Sequence, residues 1–81
     1  MTTTETRPVY QIANEIERTW KKVNFAARPY LDAMKQLMDI TDPYGHDSGK
    51  SIVLYFLSNA GTWRGEDARR IKAELKKMAG I

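Results

Sequence analysis

The sequence predicts an all-α fold, a compact four-helix bundle around a central apolar helix. Three observations carry that expectation. Six apolar residues stand in a row from Ile52 to Leu57, bracketed by Asp47 and Ser48, which can accept from the free N–H groups of a helix start, and by Gly61, suited to the left-handed residue that ends one. Two segments before that run and one after it repeat their apolar residues at three- and four-residue intervals. A chain of 81 residues has room for one domain and one core.

Residues 1–7 are Thr-rich and polar and are expected to form a flexible N-terminal arm, with residues 8–81 as a single helical domain. Pro8 suits a first helical turn. Val9, Ile12, Ala13, Ile16, Trp20 and Val23 then recur on one face, with Glu15, Glu17, Arg18, Lys21 and Lys22 toward water, which predicts a helix over 8–23. Pro29 opens the next segment, where Leu31, Met34, Leu37 and Met38 share a half-cylinder and predict a helix over 28–41. Both methionines are expected on its core face, filling an irregular gap, with an adaptable docking surface as the alternative. TDPYGHDSGKS is rich in turn residues and reads as a loop. The central helix is expected over 48–60, with Ile52, Phe56 and Ala60 on one side, Val53 and Leu57 beside them, and Leu54 and Tyr55 on the flanks; a helix apolar over most of its circumference belongs in the middle of a bundle. After the turn Thr62 to Gly65, the stripe Ala68, Ile71, Leu75, Met78 and Ala79 predicts a last helix over 65–79. Acids in its first turn and Lys76 and Lys77 in its last complement the helix dipole.

With no cysteine, disulfides and thiolate metal sites are excluded, and a reducing cytoplasm is the expected setting. MTTTETRPVY lacks the basic-then-apolar layout of a signal peptide, and six apolar residues fall far short of a membrane span, so no membrane role is expected. Residues 1–61 carry seven Lys and Arg against seven Asp and Glu, whereas residues 62–81 carry six against three, so the net +3 resides in the last segment.

No enzyme is expected. GHDSGKS over 45–51 approaches a phosphate-binding loop but has three residues, not four, between its first Gly and the GKS, and it follows a helix, not a buried strand. His46 stands alone, without the second imidazole or thiolate a metal site needs. Ser48, Ser51 and Ser58 share that single candidate base. No cofactor and no metal is expected.

Two binding constellations remain. Trp63 and Arg64, on a turn between helices, are of the types that most often anchor protein interfaces; Tyr44 on the opposite loop, with Arg69 and Arg70 nearby in sequence, completes a candidate partner-binding set. Trp63 could instead fold back over the central helix. The alternative is a nucleic-acid surface made of Arg64, Arg69, Arg70, Lys72, Lys76 and Lys77, on a helix-turn-helix-like C-terminal pair, against which Glu66, Asp67 and Glu74 count.

The segment YGHDSGKSIVLYFLSNAGTWRGEDARRIKAELK (44–76), with RPVYQIANEI and PYLDAM upstream, resembles a group of small proteins encoded by bacteriophages of actinobacteria. The resemblance covers nearly the whole chain. It implies a non-enzymatic phage accessory protein acting in the host cytoplasm by contact with a host, prophage or phage-defence protein, and it brings no functional residues. A homodimer stays open.

Overall fold

The computed structural model describes residues 7–80. Four helices form, α1 (Val9–Thr19), α2 (Arg28–Met34), α3 (Gly49–Ser58) and α4 (Glu66–Ala79), and a two-stranded antiparallel hairpin, β1 (Pro43–Tyr44) with β2 (Asp47–Ser48), lies ahead of α3. The protein is mostly helical but not purely all-α. The hairpin pairs Pro43 with Ser48 and Tyr44 with Asp47 across the two-residue loop Gly45-His46. Gly45 has φ +63° and, among the described residues, no non-Gly residue has a positive φ, which matches the II′ type of hairpin loop with Gly first. The turn signals in this stretch were legible; their use to close two short strands was not.

The helices meet in pairs around a ring. Both α1 and α3 pack on α2 and on α4. The expectation that α3 is an axle wrapped by three helices is therefore corrected: it buries Ile52, Val53 and Phe56, leaves Leu54 and Leu57 half-buried and turns Tyr55 outward against Tyr30, with ring centroids 5.4 Å apart. The core draws evenly on the whole chain, from Val9, Ile12 and Ile16 through Leu31, Met34 and Leu37 to Ile71 and Leu75. Among the described residues no helix is long and apolar enough to cross a membrane.

Two helices are shorter than their apolar periodicity suggests. In α1, the Thr19 hydroxyl donates to the carbonyls of Glu15 and Ile16, at 2.9 and 3.3 Å, and Trp20 leaves the helix in extended conformation to enter the core. In α2, the α-helical bonds give way after Met34 to the tighter bonds Gln36 to Ala33 and Leu37 to Met34, and Leu37 stays buried while Met38 turns outward. At the start of α3, Ser48 accepts from the Ser51 N–H at 3.2 Å, as its capping chemistry predicts. At the end, Gly61 is not left-handed; α3 closes on Asn59, whose side-chain amide donates to the Tyr55 carbonyl at 2.9 Å. Gly65 (φ +112°) starts α4 and Gly80 (φ +78°) ends it. The arm expected over 1–7 lies outside the described residues except for Arg7, which is pinned rather than free.

Candidate functional site

Pro8 has no side chain that could satisfy the first N–H groups of α1, and the chain after α2 supplies the acceptors. Val9 N–H donates to the Met38 carbonyl at 3.0 Å and Tyr10 N–H to that of Leu37 at 2.8 Å. This backbone cap holds residues 37 and 38 against α1, and consecutive side chains then go opposite ways: Leu37 is buried while Met38 is 64% exposed. The loop is tied again on its far side. The Asp42 carboxylate accepts from the N–H groups of Met38 and Asp39, both at 3.1 Å, and the Asp39 carboxylate accepts from the backbone and hydroxyl of Thr41, both at 2.9 Å. Those bonds from Thr41 hold the Asp39 carboxyl below the usual carboxylate range.

Between this loop, the start of α1 and the end of α4 runs a groove of about 550 Å³. Pro8, Met38, Ile40 and Met78 give it an apolar lining, and Arg7, Asp39, Glu74 and Lys77 stand around it. Arg7 grips Glu74 with two bonds, Nη2 to Oε1 at 2.8 Å and Nε to Oε2 at 3.1 Å, and its Nη1 lies 2.7 Å from Glu15. Arg70 completes the network with Glu15 at 2.7 Å and Asp67 at 3.2 Å. One wall of the groove is thus braced by charges shared between α1 and α4.

The Arg70 and Arg7 guanidiniums hold the Glu15 carboxyl below its ordinary value, and Glu74 and Glu15 raise the Arg7 guanidinium. Lys35 and Arg28 lower Glu17 in the same way. A carboxyl with a depressed folded-state pKa gives its stabilisation in full above the unfolded value, about 4.5, and loses it as pH falls through the folded one. Urea unfolding is therefore expected to show constant stability from pH 7 to about 5 and a progressive loss below about pH 4.5. Glu15→Gln is expected to lower stability at pH 7 by about 1–2 kcal/mol, because a charge-assisted bond is lost and two guanidiniums face each other, and to flatten the acid limb. An acid limb as steep in the variant as in the original chain would remove Glu15 from this role.

A second apolar feature lies at the turn between α1 and α2. The Asn24 carbonyl accepts from Ala27 and Arg28, and its side-chain oxygen accepts from the Ala26 N–H at 3.0 Å, so the chain doubles back and throws Phe25 outward, 87% exposed beside Val23 and Pro29.

The residues singled out in the sequence fall in different places. Trp63 is the main correction: it is 4% exposed, stacked on Trp20 at 5.4 Å with the planes 11° apart and edge-on to Phe56 at 6.4 Å. It is a core residue, since three aromatic surfaces gain more by joining than by facing water. Arg64 and Arg69 are exposed, whereas Arg70 is held by Glu15 and Asp67. Tyr44 is half-buried in the hairpin, its hydroxyl 3.5 Å from the Gln36 amide nitrogen. Lys72 donates to the Trp63 carbonyl at 2.7 Å and lies over the Trp63 ring, so its first role is structural. Lys76 and Lys77 are exposed, with Lys77 on the groove. The arc of six cations expected from sequence is thus divided rather than continuous.

At Gly49 a Cβ would lie 2.7 Å from the Ile40 carbonyl oxygen, so the loop backbone presses against the start of α3. Among the described residues no three His, Cys, Asp or Glu side chains gather as a metal site would require. Among the described residues Met38 and Phe25 are the most exposed large apolar ones; Phe25 was missed in the sequence, and Met38 was expected in the core with a docking surface as the alternative. Phe25 carried a signal, a large apolar residue in a connector between two helices. Met38 was concealed by a periodicity that the backbone abandons at Lys35. Compared with protein-family models, curated proteins and solved structures, the chain matches none.

Proposed function

We propose that this chain is a small non-enzymatic phage accessory protein that works in the host cytoplasm by contact with a host, prophage or phage-defence protein. Its helices are taken as one four-helix bundle whose rigidity presents the contact surface. The observation that carries the reading is Met38, 64% exposed yet fixed at the mouth of an apolar groove by bonds to its own carbonyl and N–H and to the backbone of its neighbours Leu37 and Asp39. A large apolar side chain held in water by a pre-formed loop loses little freedom on binding, which is the property of an interface anchor. The thioether chain also adapts to varied partner surfaces. A partner segment that places one apolar side chain between Met38 and Met78 and offers both charge signs at its edge, toward Lys77 and Asp39, fits the groove. The resemblance to actinobacteriophage proteins supports the biological setting.

The test is capture of the partner from infected cells by the tagged protein, followed by binding of the purified pair. Met38→Glu is expected to weaken that complex at least about tenfold while leaving the circular dichroism spectrum unchanged. Raising salt from 50 to 300 mM is expected to change it little, because apolar burial is not screened. A complex indifferent to Met38→Glu would end the reading, and a captured second copy of the chain would convert it to self-association through the groove.

A further inference from the structure

A different face of α4 carries a surface independent of the groove. At 100° per residue, Arg69, Lys72 and Lys76 fall within one narrow arc, while Asp67 and Glu74 lie on the opposite flank, where Arg70 and Arg7 already neutralise them. Asp67 and Glu74 are therefore on the wrong side to weaken the basic arc, and Glu66, about 60° from Arg69, is the one acid of α4 left beside the patch. Arg64, on the turn just ahead, is brought beside the arc because Lys72 donates to the carbonyl of its neighbour Trp63 at 2.7 Å. Among the described residues none of Arg64, Arg69, Lys72 and Lys76 forms an ion pair, and Arg64, Arg69 and Lys76 make no side-chain hydrogen bond.

The face is also without an apolar centre. Trp63 lies beneath it, buried, and the exposed large apolar residues Tyr10, Phe25, Met38 and Tyr55 all belong to other elements. Protein interfaces need a desolvated apolar or aromatic anchor. A nucleic-acid backbone needs only cations at the spacing of its phosphates. Arg69 to Lys76 spans roughly 10 Å of helix, about three nucleotide steps along one strand. We infer that this flank, Arg64, Arg69, Lys72 and Lys76, binds the phosphate backbone of nucleic acid without reading its sequence.

Fluorescence anisotropy with a labelled 20-base-pair duplex of arbitrary sequence tests it. Three to four phosphate contacts predict that affinity falls about 40- to 150-fold between 50 and 200 mM salt. Arg69→Glu with Lys76→Glu, both exposed and free of side-chain bonds, is expected to preserve the fold and reduce the salt slope by about two. Lys76→Glu and Lys77→Glu change the charge equally at neighbouring positions on different sides of the helix. Only the first is expected to weaken binding more than about threefold. The inference is overturned by no binding at 50 mM salt, by equal loss in the two single variants, or by equal affinity for polyglutamate, which would make the flank a seat for an acidic protein. Met38→Glu is expected to leave duplex binding intact, so failure here and failure of the groove reading are separate results.

Discussion

Trp63→Ala is expected to lower stability by about 3–5 kcal/mol, the usual range for removing a buried Trp or Phe. Trp63 holds one corner of a triangle in which every pair of rings is in contact: Trp20 stacks on it at 5.4 Å, Phe56 meets it edge-on at 6.4 Å, and Trp20 meets Phe56 at 6.1 Å. The three come from the end of α1, the last turn of α3 and the turn before α4, so deleting the Trp63 ring removes two contacts that join these elements. Small domains of this kind hold only about 5–15 kcal/mol in all, and the melting temperature is expected to drop by roughly 15–30 °C. Thermal melts followed by far-ultraviolet circular dichroism measure the shift. A variant that melts within a few degrees of the original chain but no longer captures the partner would restore Trp63 as an interface anchor.

The second large effect is expected at Gly49. Alanine there would place its methyl 2.7 Å from the Ile40 oxygen and 3.0 Å from the Asp39 oxygen, both backbone atoms that cannot rotate away. The loop has little room to yield, because Gly49 N–H donates to the Asp42 carbonyl at 2.6 Å while the Asp42 carboxylate holds residues 38 and 39. Overpacking of this kind costs about 1–3 kcal/mol, and alanine's better helix propensity offsets little of it at the first residue of α3. We expect a melting temperature lower by about 4–24 °C. Because the displaced loop carries Met38, partner affinity is expected to fall as well. Gly61→Ala is the control: its Cβ meets nothing within 4 Å and its backbone is not left-handed, so stability is expected to stay within about 0.5 kcal/mol. Equal melting temperatures for the two variants would show that the approach of α3 to the loop is not tight.

The two substitutions mark how far the sequence could be read. The four helices were legible because Val9, Ile12 and Ile16, or Ala68, Ile71 and Leu75, repeat at the helical period, and burial follows that period when one face meets a core. The last helix was predicted over 65–79 and forms over Glu66–Ala79, bounded by glycines at both ends. Helix ends elsewhere were less legible. Trp20, Val23, Leu37 and Met38 continue the apolar pattern beyond Thr19 and Met34, and nothing local tells a residue that stays in the helix from one that turns into the core. The cations were read correctly as types, but their partners were not. Arg70 and Arg7 are absorbed by Glu15, 55 and 8 residues away in the chain, and Arg64, Lys72 and Lys76 are left over by that choice.

By itself the sequence determined that this protein is helical, that its apolar run coils and does not extend, that Asp47 or Ser48 caps that helix, and that the excess positive charge lies in the last twenty residues. Each of these is settled within a few residues, by periodicity, capping chemistry and composition. Only the tertiary structure decided that Trp63 is core, that Met38 faces water, that Gly49 must lack a side chain, and which cations of α4 stay unpaired. Those outcomes depend on contacts between residues far apart in the chain, where the burial of one side chain and the exposure of its neighbour are fixed together by how the helices meet.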